Sequence, residues 1–289
     1  MDRRGEKGRL AIVAGSGRLP VYVAEAARAI GEEPLVFAIR GESDADWTNY
    51  DSVGLGIGDI AGFKSASRAA GIDRIVLSGG VRVRPSWKDI RLNLGTVWRL
   101  PRLLATLMHG GDNLVLTTTI GLLEDEGMRV IGAHEIAPGL VAKTGPIGTH
   151  CPDKQSEADI KVSIKAARLL GELDIGQGVI SVGGRVVALE GPEGTDSMIG
   201  RINELRARGR ISTKRRGVLV KLCKPGQDVR VDLPSAGLST LRNALDAGLA
   251  GIALEAGRSL LLDQPEVIDF ADRNGLFIVG IEPDTVEAA

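Results

Sequence analysis

The strongest limit on this fold comes from short apolar runs, each closed by a glycine turn and followed by a helical pattern. Residues 10–14 (Leu-Ala-Ile-Val-Ala) run into Gly15-Ser16-Gly17, a helical period over 20–30 stops at Gly31, and 35–39 is apolar again. A helix over 60–70 ends at Gly71, and 74–77 leads into Ser78-Gly79-Gly80. Apolar runs this short read as buried strands, and strands alternating with helices give a mostly parallel sheet covered by helices.

The reading is therefore α/β, with a Rossmann-like parallel-sheet domain over 9–132. Residues 88–109 have a helical period broken by Gly95 and Pro101, so two helices are expected there. A helix over 112–126 and a strand over 128–131 complete that domain. Residues 133–152 hold Pro138, Gly139, Gly145, Pro146, Gly148 and Pro152, the punctuation of a linker. A C-terminal α/β domain then spans 153–283. It opens with a helix over 153–170 and a hairpin of 179–182 and 186–190 around Gly183-Gly184. Helix 196–208, strand 218–222, helix 240–247, strands 252–254 and 260–262, helix 265–274 and strand 276–279 follow.

Composition removes several function classes. Lys plus Arg total 36 against 37 Asp plus Glu, which gives no case for nucleic acid as a partner. No apolar run approaches the roughly 20 residues of a membrane-spanning helix, so any membrane contact is peripheral. Cys151 and Cys223 stand far apart with no C-x-x-C, which suggests neither a thiolate zinc site nor a disulfide framework and fits a cytoplasmic protein. His109, His134 and His150 lack metal-ligand spacing, and no G-x-S-x-G elbow occurs at a strand-to-helix turn.

Two regions carry candidate chemistry. Gly15, Ser16, Gly17 and Leu19 lie where a doubly wound sheet offers backbone N–H groups to a phosphate, and Gly79, Gly80 and Val81 could wall the same crevice. Pro20 replaces the third glycine of a dinucleotide fingerprint, and a tight turn with nothing bound explains the glycines equally well. The second region comprises 190–196 and 221–234. Asp228 and Asp232 beside Lys221, Lys224 and Arg230 have the composition of a Mg²⁺-phosphate site, hard oxygens for the cation and cations for the remaining phosphate charge. Thr195 and Asp196 could orient a sugar or phosphate, although Asp196 could simply cap the following helix. Apolar residues from Leu92 to Met108 among Lys88, Arg91, Arg99 and Arg102 could receive acyl chains or belong to an ordinary core. Arg206, Arg208, Arg210, Lys214, Arg215 and Arg216 form a second basic cluster.

Taken in order, L-A-I-V-A-G-S-G-R-L-P at the start, G-A-H-E at 132–135, L-D-I-G-Q-G at 173–178, E-G-T-D at 193–196, K-P-G-Q-D-V-R-V-D-L-P at 224–234 and A-G-L-A-G-I at 247–252 resemble the LpxI-type UDP-2,3-diacylglucosamine pyrophosphatases. The resemblance implies a two-domain hydrolase of lipid A biosynthesis. It would convert UDP-2,3-diacylglucosamine to 2,3-diacylglucosamine 1-phosphate (lipid X) and UMP with Mg²⁺, with the lipid between the domains. It also implies a homodimer, contact with the cytoplasmic face of the inner membrane, an essential role for Asp232, and Asp228 as its acidic neighbour on the metal. Lys221, Lys224 and Arg230 would stabilise charge on the phosphate oxygens. Two other readings compete: an NADP-dependent oxidoreductase with Arg40 on the ribose phosphate, and a non-catalytic nucleotide-sugar-binding protein.

Overall fold

The computed structural model describes residues 8–81, 112–283 and 285. The apolar, basic stretch expected to meet acyl chains, 92–108, lies outside the described residues, as do the two helices expected over 88–109. The chain divides into two compact units, Met1–Pro138 and Gly139–Ala289.

In the first unit β1 (Arg9–Ala14), α1 (Leu19–Ala29), β2 (Leu35–Ile39), β3 (Asp51–Leu55), α2 (Ile60–Ala69), β4 (Ile72–Ser78), α3 (Asp112–Glu124), β5 (Arg129–Val130) and α4 (Ala133–Ile136) follow one another. All five strands are parallel, in the order β3-β2-β1-β4-β5. Strand alternation divides the sheet into two faces. Leu10, Ile12, Ala14, Val36 and Val76 pack with Val23, Ala24 and Ala27 of α1. On the other face Phe37 meets Phe63 of α2, ring centroids 4.9 Å apart. Strand β3 is absent from the sequence reading. Its residues Asp51, Ser52 and Gly54 are exposed and form an edge strand, where no apolar alternation is required.

The second unit is built from β6 (Gly145–Pro146), α5 (Lys154–Glu172), β7 (Gly178–Val182), β8 (Arg185–Leu189), α6 (Gly194–Ala207), β9 (Gly217–Lys221), β10 (Ser235–Ala236), α7 (Leu238–Asp246), β11 (Leu249–Glu255), β12 (Leu260–Leu261), α8 (Gln264–Arg273) and β13 (Phe277–Ile281). Its main sheet runs β6-β13-β11-β9-β7-β8, with β9, β11 and β13 parallel. Helix α5 covers one face through Ile160, Ile164, Ala167 and Leu170, while α6, α7 and α8 cover the other. The proline- and glycine-rich stretch 133–152 is not featureless. Helix α4 belongs to the first unit, and β6 pairs antiparallel with β13, Gly145 opposite Gly280.

The β7–β8 hairpin turns on Gly183 and Gly184, both at positive φ, the backbone that a two-residue turn of this hand requires. Fully buried Asp159 of α5 accepts both turn N–H groups, from Gly183 at 3.1 Å and from Gly184. One carboxylate thus fixes the hairpin to the helix that covers it. Asp159→Ala orphans two donors and is expected to lower stability by about 1–3 kcal/mol, read as a fall in the urea midpoint with an unchanged slope.

Candidate active site

Strands β8, β9 and β11 bring their carboxyl ends to one edge of the second sheet, where β7 also begins. Ligands of open α/β sheets lie beyond such ends. Each of the three strands delivers a buried charged residue there. Glu190 follows β8, Lys221 ends β9 and Glu255 ends β11, at 7%, 5% and 2% exposure.

Lys221 is buried because β9 is central and covered on both faces. Alternation points Val218 and Val220 toward α5 and Leu219 and Lys221 toward α6 and α7. Its Nζ donates to the Ser235 carbonyl at 2.7 Å. Burial pushes the ammonium below its ordinary value, and the charges of Glu190, Asp196 and Asp232 oppose that shift. Without those carboxylates a buried ammonium would be strongly unfavourable.

Glu190 is held in turn. Its Oε1 accepts from the Thr195 hydroxyl at 2.6 Å and its backbone N–H donates to the Gly178 carbonyl. A Cβ at Gly178 would stand 2.6 Å from Glu190 Oε2, so glycine is what lets that carboxylate lie against β7. Asp196 sits in the first turn of α6, where a negative charge suits the helix dipole, and accepts from Asn243 at 3.0 Å rather than capping the helix. Asp232 accepts from Gln227 Nε2, and its own N–H donates to the Asp228 carbonyl at 3.3 Å.

Separate family models for the LpxI N-terminal and C-terminal domains match residues 9–140 and 143–279 of this chain. The chain belongs to the LpxI family. It is 38% identical over 277 residues to a Caulobacter vibrioides protein named UDP-2,3-diacylglucosamine pyrophosphatase LpxI, covering 95% of this chain and 98% of that one. Family membership overturns the oxidoreductase reading. Arg40 is exposed, and its guanidinium donates to the Gly54 carbonyl at 2.6 Å.

Not every residue expected at the site is brought to Lys221. Asp228 gives both carboxylate oxygens to Arg230, with contacts of 2.7–3.2 Å that hold its pKa below the usual range. Lys224 pairs with Asp174 at 2.8 Å. Among the described residues no three His, Cys, Asp or Glu side chains form a protein cage for a metal ion. Mg²⁺ asks for less, keeping waters and taking one or two carboxylates beside substrate phosphates. Asp232 with Glu190 or Asp196 has the right oxygen chemistry for that, and the set fits a cation shared with a diphosphate. Asp228 would first have to release Arg230.

In the first unit the glycine turn is occupied by protein. Gly15 N–H donates to Ser78, Ser16 exchanges two backbone bonds with Gly80, and Gly17 N–H donates to Asp44 Oδ1 at 2.9 Å. A Cβ on Gly15 would fall 2.3 Å from the Gly80 carbonyl. Close packing of two loops therefore accounts for glycine at 15, and the turn N–H groups of residues 15–17 are already engaged. Leu19 opens α1, and Val81 is half-exposed.

Glu190 and Gln227 lie in the two segments that the sequence singles out but receive no role there, and Glu255 lies outside both. A glutamate directly after an apolar strand, facing a G-x-G at the start of its hairpin partner, was the available signal for Glu190. Glu255 Oε2 accepts the Cys223 N–H at 2.9 Å, and burial first of all pushes the Cys223 thiol up to about 11. Cys151 is exposed. At pH 8 a thiol reagent should label Cys151 quickly and Cys223 slowly. Because its thiolate is scarce below the raised value, labelling of Cys223 should climb about tenfold per pH unit from 8 to 10 in folded protein. Peptide mapping of each cysteine checks both rates.

Proposed function

We propose that this chain hydrolyses the pyrophosphate bond of UDP-2,3-diacylglucosamine, yielding 2,3-diacylglucosamine 1-phosphate and UMP in lipid A synthesis, with Asp232 and Lys221 at the reacting centre. The observation that carries the proposal is the buried Lys221 ammonium with Glu190, Asp196 and Asp232 around it at the carboxyl ends of the strands. That arrangement sits in a chain of the LpxI family, whose relative bears the pyrophosphatase name.

Hydrolysis of a diphosphate asks for charge stabilisation and a positioned water more than for covalent chemistry. Lys221 supplies a fixed positive charge in a site with little water to screen it, where such a charge acts strongly on developing negative oxygen. Asp232 orients the attacking water by accepting its proton in a hydrogen bond, and Glu190 and Thr195 form a braced polar wall beside it. Mg²⁺, held by Asp232 and the phosphate oxygens, would neutralise diphosphate charge as a Lewis acid. Arg230 carries a further cation on the same turn as Asp232, paired to Asp228. No helix among the described residues is long and apolar enough to cross a membrane. A diacylated substrate partitions to the membrane interface, so the reading includes peripheral contact there.

Purified protein mixed with UDP-2,3-diacylglucosamine and Mg²⁺ should release UMP. Asp232→Ala should lose about 10²–10⁴-fold in turnover while keeping its fold and retaining intact substrate, because acyl chains, sugar and uridine provide most of the contact area. A wild-type preparation without UMP release sinks the proposal. A folded Asp232→Ala protein with near-normal turnover removes Asp232 from the reaction.

A further inference from the structure

We propose that Gln227 is a positioning residue for the reaction, an amide clamp that sets the Asp232 carboxylate against the buried end of the sheet; this rests on the functional reading of Asp232 given above. Residues 224–227 form a tight turn, with Pro225 and then Gly226 at φ +72° in its centre and the Gln227 N–H donating to the Lys224 carbonyl at 3.1 Å. Pro followed by a positive-φ glycine is the chemistry of a type II turn. The Gln227 side chain, 8% exposed, folds back over this turn. Its Oε1 accepts the Lys224 N–H at 2.9 Å and the Cys223 thiol at 3.4 Å, while Nε2 donates to Asp232 Oδ2.

The amide can stand only one way round. A backbone N–H only donates, so Oε1 must face Lys224, and an ionised carboxylate only accepts, so the NH₂ must face Asp232. The base of the clamp is anchored too, because the Cys223 N–H is held by Glu255 at the end of β11. A continuous set of hydrogen bonds thus runs from the central sheet through Cys223 and Gln227 to Asp232. Asp232 itself lies on an irregular turn, and the Gln227 amide is one of the contacts that hold its carboxylate. Misplacement of a reacting group by about 1 Å can cost on the order of 10²-fold in rate.

Gln227→Glu tests the clamp because it keeps the side-chain length and both acceptor contacts but turns the donor into a carboxylate facing Asp232. Gln227→Met is the second variant, similar in volume and without charge. With UMP release referred to the folded fraction measured by circular dichroism, kcat should fall roughly 10–100-fold in both while KM stays within about threefold. The decisive readout is a cycle with Asp232→Asn: once Asp232 is gone, adding Gln227→Glu should cost nothing further, whereas a purely structural glutamine would add its loss in full. A kcat per folded molecule within about threefold of wild type in both variants, or additive losses in the cycle, overturns the inference. Wild-type protein that releases no UMP would instead overturn the functional reading, and this inference with it.

Discussion

A buried ammonium cannot stand alone, and the second unit is organised around that requirement at Lys221. The residue ends the central strand of a sheet covered on both faces, so the fold removes it from water before any substrate arrives. Compensation must come from whatever the neighbouring strands deliver to the same edge. Glu190 comes after β8, Asp196 from the first turn of α6, and Asp232 from the irregular turn beyond β9. Two chain segments, the stretch 190–196 and the turn at Asp232, are thereby tied to one point charge. A site of this kind is rigid for electrostatic reasons as much as for packing ones, since moving any carboxylate away raises the cost of leaving Lys221 charged.

The two units make different use of glycine at their strand ends. In the first, Gly15 allows one loop to lie on another, and the N–H groups that could have held an anion bond to Ser78, Gly80 and Asp44 instead. In the second, Gly178 makes room for the Glu190 carboxylate, whose Oε1 accepts from the Thr195 hydroxyl. Glycine-rich turns at strand ends look alike in sequence. What they do depends on which neighbour approaches.

Most of the elements were legible because each strand and helix has its own local signature, such as the run of 35–39 or the Gly183-Gly184 turn. Strand β3 was not, because an edge strand reading Asp-Ser-Val-Gly-Leu carries a single β-branched residue, Val53, and no continuous apolar run. Two-residue strands β6 and β10 are fixed by partners, not by propensity. At the site, the family resemblance pointed to Asp232 and to Asp228 as its acidic neighbour. Arg230, two residues on, captures Asp228 instead. Glu190, Gln227 and Glu255 were invisible as a group because their convergence is created by the pairing of β7, β8, β9 and β11, which no local window contains.

The short strand β6 has a consequence for how the second unit could exist alone. It covers the outer ladder of β13, where Gly280 has no room for a Cβ because the Lys143 carbonyl lies against it. Ala142 and Ile147 add backbone bonds to Ser259 and Ile278 on either side. A protease cut near residue 139 would leave this cover in place on the released fragment. A cut near 153 would strip it and leave β13 with unpaired N–H and C=O groups along its length, a template for joining another sheet. Limited proteolysis at the two ends of the same glycine- and proline-rich stretch would thus release fragments of opposite character, one self-contained and one prone to aggregate.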